Sequence, residues 1–283
     1  MPVITTKQKG LVISIAVLAL LLAVMTILAT CLRRPEPVPQ PPVPTQTQPI
    51  QTEPTEPTLP PPEANPYHYT DFQYDGRYRT CLAAETMVGI DVSSHQKQID
   101  WQAVAESGVE FVILRVGYRG YSTGQIQPDE LAQQNYQGAK EAGLLVGAYF
   151  FSQAVSTEEA LEEAEFLLSR VADWEMDLPL VFDWEHKGEG SRTHNLDSRI
   201  VTDCAIAFCE AVEEAGYESM VYFNPHHAKR FFHLPELVDY PFWLAYYTDR
   251  MQYSYKVDMW QYTNEGTVPG ISTPVDINLL FVE

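Results

Sequence analysis

Two acidic side chains stand two positions apart at the end of an apolar run, a spacing that can support acid–base chemistry. Asp183 and Glu185 flank Trp184 and follow the apolar residues 180–182. On a β-strand, residues i and i+2 point to one face and lie about 6.6 Å apart along the chain. Because two nearby negative charges raise one pKa, one carboxyl can donate a proton while its neighbour stays ionised. The pair fits cleavage of a glycosidic bond, although a solvated strand end explains the spacing equally well.

Two further aspartates are embedded in apolar segments, where an isolated charge costs free energy. Asp91 lies in the segment GIDVS and Asp276 lies in VDIN. If the last strand is antiparallel, its first residues reach the rim at which the preceding strand ends. Asp276 then joins Asp91, Asp183 and Glu185, and we predict one catalytic site with four acids. The alternative for each aspartate is a structural carboxylate satisfied by backbone amides or by Arg115.

Aromatic side chains near the same strand ends predict a sugar-binding surface, because an aromatic face packs against the apolar face of a pyranose ring. Tyr247 and Trp260 are the stronger candidates, since both sit close to a strand end. For every one of these residues, burial in the core is the alternative interpretation. The predicted substrate-binding set consists of Tyr149, Arg115, Trp184, Tyr247 and Trp260, with Tyr262 as a further aromatic candidate.

These residues need a scaffold that brings several strand ends together. Strand-like runs alternate with helical stretches up to about residue 240, which predicts right-handed crossovers and a parallel sheet. Ser156 and Glu159 have the spacing of a capping box for one helix, and Asn195 and Gly216 bound another. Short connections after residue 240 permit an antiparallel last strand. About five helices and eight strands predict a closed α/β barrel, with strands at 88–93, 111–118, 145–151, 180–185, 220–224, 242–247, 257–262 and 275–281.

The charge of the chain restricts its partners. Its 283 residues include 38 acidic and 18 basic side chains, which give a formal net charge of −20. Nucleic-acid binding requires clustered Lys and Arg, so nucleic acid is not an expected partner. The cysteines form no CxxC pair and no metal-spaced cluster. We therefore expect no metal, no cofactor and no disulfide framework, and we predict that Cys204 and Cys209 pack as small apolar side chains.

The start of the chain predicts an attachment to a membrane. Residues 11–30 are apolar or small and carry no charge. Twenty helical residues span roughly 30 Å, the thickness of a bilayer core, which favours an uncleaved transmembrane anchor over a cleavable signal peptide. We expect residues 1–10 to be a short cytoplasmic segment. Cys31, at the outer end of the span, is interpreted as an ordinary thiol, with a lipidated cysteine as the alternative.

The segments after the anchor differ in composition. Residues 31–66 are rich in Pro, Gln, Thr and Glu, and they have too little apolar content to form a core, so they are predicted to be an extended spacer. Residues 67–87 are interpreted as an irregular lead-in that packs on the domain formed by residues 88–283. The sequence thus predicts a single-pass cell-membrane protein with an extracellular catalytic domain.

The motifs of this domain together resemble glycoside hydrolase family 25, the Chalaropsis-type lysozymes. The resemblance extends from about Val88 to Phe281 and includes GIDVSSHQ followed by IDW, FVILRVGYRG, GAYFFSQA, PLVFDWE, MVYFNP, FWLAYY, MWQYT and VDIN. It implies a flattened, modified TIM-like (β/α)5β3 barrel. It also implies hydrolysis of the β-1,4 bond from N-acetylmuramic acid to N-acetylglucosamine in peptidoglycan glycan strands.

The resemblance also implies roles for the four acids. Glu185 corresponds to the general acid, and Asp183 acts either as a nucleophile or by steering the acetamido group of the substrate. Asp91 and Asp276 correspond to the remaining acidic members of the site. The family usually has glycine after the glutamine of its first motif, whereas Lys97 occupies that position here. A catalytically inactive peptidoglycan-binding barrel is the alternative, and the intact DWE motif argues against it.

Overall fold

The computed structural model describes residues 59–282 of the chain. The predicted cytoplasmic segment, the predicted membrane span and most of the predicted spacer lie outside the described residues. Within residues 59–282, no helix combines the length and the apolar character that crossing a bilayer requires. The described residues contain the whole region predicted to form the barrel, apart from the final residue.

Eleven strands occur within the described residues, and eight of them form a closed barrel. In chain order the strands are β1 (Phe72–Tyr74), β2 (Arg79–Cys81), β3 (Glu85–Val92), β4 (Phe111–Arg119), β5 (Ile126–Pro128), β6 (Leu145–Ser152), β7 (Leu180–Trp184), β8 (Ser219–Phe223), β9 (Phe242–Ala245), β10 (Met259–Gly266) and β11 (Val275–Val282). The barrel order is β3-β11-β10-β9-β8-β7-β6-β4, and the pairing of β3 with β4 closes it. The eight predicted strands are confirmed.

The direction of the strands matches the prediction as well. Every neighbouring pair from β3 through β4, β6, β7, β8 and β9 to β10 is parallel. The last strand, β11, is antiparallel to both β10 and β3. Its first residues therefore lie at the end of the barrel where the parallel strands finish. Short β5 extends the sheet as an antiparallel partner of β4.

Five α-helices of the described chain follow the first five barrel strands: α1 (Trp101–Glu106), α2 (Ala132–Glu141), α3 (Thr157–Val171), α4 (Ser198–Glu214) and α5 (Pro225–Arg230). Ser156 caps α3 by accepting from the main-chain N–H of Glu159. The Glu159 carboxylate accepts from the N–H of Val155, so the predicted capping box is not formed in its reciprocal version. Asp197 caps α4, which corrects the predicted start at Asn195 by two residues.

Apolar side chains form two clusters, one on each face of the barrel wall. The inner cluster includes Phe111, Val181, Met220 and Met259, and the outer cluster lies between the strands and the helices. The period of two along each strand supplies both sets. Burial of each large apolar side chain contributes about 1.5–3 kcal/mol before the entropy of folding is subtracted. Cys204 and Cys209 are free and fully buried in the outer cluster, as predicted.

The lead-in segment is more regular than predicted, because it contains the hairpin β1–β2. Phe72 is buried with its ring edge-on to Trp260 at 5.1 Å, and Tyr67 stacks on Phe281 with ring centroids 4.6 Å apart. The hairpin turn includes Gly76 at a φ of 106°, a conformation that favours glycine. These contacts cover β10 and β11, which are not followed by α-helices in the described chain.

The residues just before the lead-in are also bonded to the barrel domain. The main-chain N–H of Lys256 donates to the carbonyl oxygen of Glu63 at 2.8 Å. The Asn65 side-chain amide donates to the carbonyl oxygen of Tyr253 at 2.9 Å. The last residues of the predicted spacer therefore pair with the loop between β9 and β10.

Candidate active site

The four predicted acids lie together at the carboxyl end of the parallel strands. Asp91 is the next-to-last residue of β3, Asp183 lies in β7, and Glu185 directly follows β7. Asp276 is the second residue of the antiparallel β11 and pairs in register with Asp91. All four line one cavity of about 240 Å³. This end of a barrel is where such folds place their chemistry.

Asp91 is fixed by two side-chain amides. Its Oδ2 accepts from Nε2 of Gln261 at 2.8 Å and from Nδ2 of Asn278 at 2.9 Å. Burial raises the pKa of Asp91 to about 6, although these two hydrogen bonds oppose the increase. The alternative in which Arg115 satisfies this carboxylate is excluded, because the Arg115 guanidinium pairs with Asp129 at 2.8 Å.

Asp183 and Asp276 are destabilised in their charged forms. Asp183 is 6% exposed, and its Oδ1 has no hydrogen-bond partner among residues 59–282. Burial, followed by the charge of Glu185, raises the pKa of Asp183 well above its usual range. Burial, followed by the charge of Asp91, raises the pKa of Asp276 to about 8. Asp183 and Asp276 therefore favour their protonated forms at neutral pH.

Glu185 has a different environment, because it lies beyond the end of β7 and is partly open to solvent. Nζ of Lys187 lies 2.6 Å from Oε2 of Glu185 and 4.7 Å from the ring centroid of Phe151. Nε2 of the fully buried Gln153 donates to the main-chain oxygen of Glu185 at 2.6 Å. The Lys187 ammonium pairs with the Glu185 carboxyl group, and Gln153 fixes the main chain that carries it.

The buried partners of Gln153 anchor this arrangement in the protein interior. The main-chain N–H of Gln153 donates to Oε1 of Glu163, and its Oε1 accepts from the Thr193 hydroxyl. Glu163 is fully buried and pairs with Arg119 at 2.6 Å. Burial raises the pKa of Glu163 to about 7 against the opposing effect of Arg119. A polar network thus extends from α3 to the main chain at Glu185.

The structure separates the predicted aromatic residues into two groups. Tyr149 and Tyr247 line the cavity together with Arg115. Tyr247 is 50% exposed, and its hydroxyl donates to Oε1 of Gln261 at 2.9 Å. Both tyrosines are therefore placed where a sugar can contact them.

The prediction that Trp184 and Trp260 bind substrate is corrected, because both are fully buried core residues. Trp184 lies between Asp183 and Glu185 in sequence, so the strand directs it to the opposite face. Its ring packs on Phe231 at 5.2 Å, and its indole N–H donates to a main-chain oxygen. Trp260 packs on Phe72, and its N–H donates to the carbonyl oxygen of Tyr246 at 2.8 Å.

Sequence reasoning missed several residues of the cavity wall. Tyr222, Trp243 and Gln261 line the cavity, and Asn278 bonds both Asp91 and the Trp243 indole. A signal was present for Asn278, because it lies two residues after Asp276 on one strand. Gln261 follows the same period, since its neighbour Trp260 faces outward. His95 and Gln96 also line this cavity.

The position where Lys97 replaces the expected glycine has an unusual backbone. Lys97 has φ 59° and ψ −135°, within the range that favours glycine. A non-glycine residue in a sparsely populated region costs about 1–3 kcal/mol. Hydrogen bonds within the loop of the first motif help to offset this cost. In one of them the Ser93 N–H donates to Oε1 of Gln96.

Side chains suited to binding a metal ion do not converge in the described part of the chain. Across residues 59–282, no group of three or more His, Cys, Asp and Glu side chains has a geometry that holds an ion. The cavity lining combines carboxyl groups, tyrosines and amides with Arg115 and His95. Such a set suits proton transfer and the stabilisation of positive charge at a reacting sugar.

A closed barrel with paired carboxyl groups at the carboxyl end of its strands has the arrangement that a glycoside hydrolase of the barrel type requires. The chain belongs to glycosyl hydrolases family 25, whose family model matches residues 90–271. The uncharacterized protein YegX of Escherichia coli (strain K12) is 30% identical over 210 residues, which cover 70% of each chain.

Two further relatives are more distant. The autolytic lysozyme of Clostridium acetobutylicum is 28% identical over 194 residues, which cover 68% of this chain and 55% of the relative. The modular autolysin LytC of Streptococcus pneumoniae, solved with a synthetic peptidoglycan ligand, superposes with a TM-score of 0.62 at 22% identity. That match covers 74% of this chain and 51% of LytC, so the chain spans about half the length of LytC.

Proposed function

We propose that this protein is a muramidase, which hydrolyses the β-1,4 bond between N-acetylmuramic acid and N-acetylglucosamine in peptidoglycan. The observation that carries the proposal is the Asp183–Glu185 pair at the mouth of a cavity that also contains Asp91 and Asp276. The similarity to an autolytic lysozyme and to the LytC autolysin, which was solved with a synthetic peptidoglycan ligand, supports peptidoglycan as the substrate.

Glu185 acts as the general acid in this proposal. It gives its proton to the glycosidic oxygen as the bond to the muramic acid C1 breaks, and it recovers a proton from the water that completes hydrolysis. Its location beyond β7, with a partly exposed carboxyl group, allows a leaving sugar to reach it. Gln153 acts as a positioning residue, because it holds the Glu185 main chain by a 2.6 Å hydrogen bond.

Asp183 stabilises the positive charge that develops on the reacting sugar, either directly or through the acetamido group of the substrate. In the free protein, burial and the neighbouring charge of Glu185 raise the pKa of Asp183. The positive charge that develops at the sugar stabilises ionised Asp183 during the chemical step.

Digestion of purified peptidoglycan followed by chemical identification of the new reducing ends tests this function. New ends on muramic acid are expected. New ends on glucosamine would identify a different bond. No new ends, with wall material still bound to the protein, would indicate an inactive binding barrel. Glu185→Gln serves as the matched protein that binds but does not cut.

We also propose that the domain lies outside a cell membrane, anchored through residues 11–30. The support is the uncharged apolar run and the Pro-rich segment between it and the barrel. Protease added to intact cells is expected to release an active barrel domain by cutting N-terminal to Glu63, because Glu63 and Asn65 are bonded to the domain. Release only after the cells are opened would reverse the proposed orientation.

A further inference from the structure

The catalytic cavity is too small for a polymeric substrate. Its volume of about 240 Å³ falls below the roughly 300–1,000 Å³ of typical ligand pockets. An enzyme that cuts within a glycan strand contacts sugars on both sides of the bond. Further sugars must therefore bind outside this cavity, along the surface that adjoins it.

A second cavity of about 850 Å³ adjoins the first, and Tyr247 lines both. One wall of this second cavity is the hairpin β1–β2, which contributes Tyr74, Arg77 and Arg79. The opposite wall is the outer end of β10 around Thr263. The hairpin precedes residues 90–271, to which the family model matches.

The hairpin is fixed firmly enough to form a binding surface. Phe72 anchors it on Trp260, and Tyr74 lies two residues further along the same face of β1. Arg79 pairs in register with Tyr74 and places its guanidinium 5.5 Å from the centre of that ring. Nη2 of Arg79 also lies 2.6 Å from Oδ1 of Asp249, in the loop that carries Tyr247. Arg79 therefore connects the two tyrosine-bearing segments.

The chemistry of this cavity fits the hydroxyl and acetamido groups of a sugar. Tyr74 is 56% exposed and Tyr247 is 50% exposed, so both have ring surface available for stacking. The charged lining groups are two arginines and two acids, which balance in formal charge: Arg77, Arg79, Asp249 and Glu265. The hydroxyl and acetamido groups of a sugar find hydrogen-bond donors and acceptors among these side chains.

We propose that this cavity, defined as the hairpin groove, is an accessory subsite that binds sugars of the glycan strand beyond the cleaved bond, with Tyr74 as its stacking platform. The inference rests on the proposed muramidase function, because it assumes a glycan strand in the neighbouring catalytic cavity. The groove lengthens the contact with polymeric substrate and favours long strands over short fragments.

Binding measurements separate this inference from catalysis. The full chain carrying Glu185→Gln is titrated with long purified glycan strands and with a tetrasaccharide of the same repeating unit. Loss of the Tyr74 ring by Tyr74→Ala is expected to raise the ratio of the long-strand Kd to the tetrasaccharide Kd by about 3–10-fold. Tyr74→Phe, which keeps the ring, should restore most of the original ratio.

Tyr69→Ala is the matched control, because Tyr69 is 42% exposed in the same segment and does not line the groove. An unchanged ratio for Tyr74→Ala, or an equal change for Tyr69→Ala, overturns the inference. The thermal unfolding midpoint of each variant is measured as well. A change in the Kd ratio that is accompanied by a lower midpoint would indicate a damaged hairpin and would also count against the role of Tyr74 as a platform. The muramidase proposal is tested separately by the reducing-end experiment. It fails if wild-type protein produces no new reducing ends on muramic acid.

Discussion

Asp276 at the start of β11 lies directly opposite Asp91 at the end of β3, in register across an antiparallel pair. The two side chains line one cavity, and the charge of Asp91 contributes to the raised pKa of Asp276. A parallel last strand would have put Asp276 at the far end of the barrel. The reversal of one strand therefore places the fourth acid in the site.

The first prediction concerns stability as a function of pH. Asp276 has a pKa of about 8 in the folded protein, against 3.8 for an unperturbed aspartate. Between these pH values Asp276 keeps its proton in the folded state and loses it in the unfolded state. The contribution of Asp276 to stability therefore falls as pH rises from about 4 to about 8. Asp276→Asn should make the free energy of unfolding decline less steeply over this range.

Urea unfolding at several pH values measures this slope. Asp173→Asn is the matched control, because Asp173 is exposed on the surface. If the free energy of unfolding depends on pH with the same slope in wild type and Asp276→Asn, then Asp276 does not keep its proton in the folded state.

The second prediction concerns the proposed acid. Glu185→Gln keeps the shape of the side chain but removes its proton, and general acid catalysis is typically worth about 10²–10⁴-fold in rate. Hydrolysis of peptidoglycan should fall by that factor with an unchanged thermal unfolding midpoint. Glu189→Gln, an exposed glutamate in the following loop, should remain active. A folded Glu185→Gln protein with more than half of the wild-type rate would contradict the assignment.

The third prediction concerns the ion pair of Glu185 with Lys187. Lys187→Met removes an ammonium that lies 2.6 Å from the carboxylate. Because both side chains are partly exposed, solvent screens the pair, and its loss should lower the free energy of unfolding by at most about 1 kcal/mol. Chemical unfolding measures this change. Lys229→Met, an exposed lysine on α5, should leave the free energy of unfolding unchanged. A larger loss of stability in Lys187→Met would show that Lys187 does more than pair with Glu185.

The fourth prediction concerns Gln153 as a positioning residue. Gln153→Met keeps the volume but leaves the Glu185 carbonyl and the Thr193 hydroxyl without this amide, at a cost of about 1–3 kcal/mol in stability. Misplacement of a catalytic group lowers kcat more than it raises KM, by up to about 10²-fold. Steady-state kinetics of the folded variant should show this division. Gln134→Met, on the exposed surface of α2, is the control, and an effect on stability alone would make Gln153 merely structural.

The fifth prediction separates core from substrate-binding aromatic residues. Trp184→Ala removes a fully buried ring and should lower the free energy of unfolding by about 3–5 kcal/mol. Tyr247→Ala removes a half-exposed ring and should mainly raise KM for peptidoglycan. Chemical unfolding and steady-state kinetics of both variants test the division. A stable Trp184→Ala protein with a raised KM would return Trp184 to the binding surface.

Much of the barrel could be predicted because each strand is a distinct apolar run and the helices between the first strands set their direction. The position of Asp276 required only one further inference, the direction of a strand after a short connection. The burial of Trp184 followed from the same period of two that paired Asp183 with Glu185, so the sequence already argued against it as a binding residue.

Other features of the site could not be predicted, because they depend on contacts between distant segments. The hydrogen bond from Gln153 to the Glu185 carbonyl joins the residues that follow β6 and β7. The sequence pattern does not predict the conformation of the loops after these strands. The faces of β10 could not be assigned without knowing that Gln261 reaches Asp91, 170 positions away. The hairpin β1–β2 did carry a signal, since Asp75-Gly76 is a typical hairpin turn.

The pairing of β11 with β3 has a consequence for the timing of folding. Asn278 and Asp91, which bond across this pair of strands, are separated by 187 residues, so the contact requires a nearly complete chain. Contacts of such separation form slowly and late, after their loop-closure entropy has been overcome. A nascent or C-terminally truncated chain that ends before β11 therefore lacks both Asp276 and the Asn278 support of Asp91. The four-acid site is therefore complete only once the last strand has docked against β3.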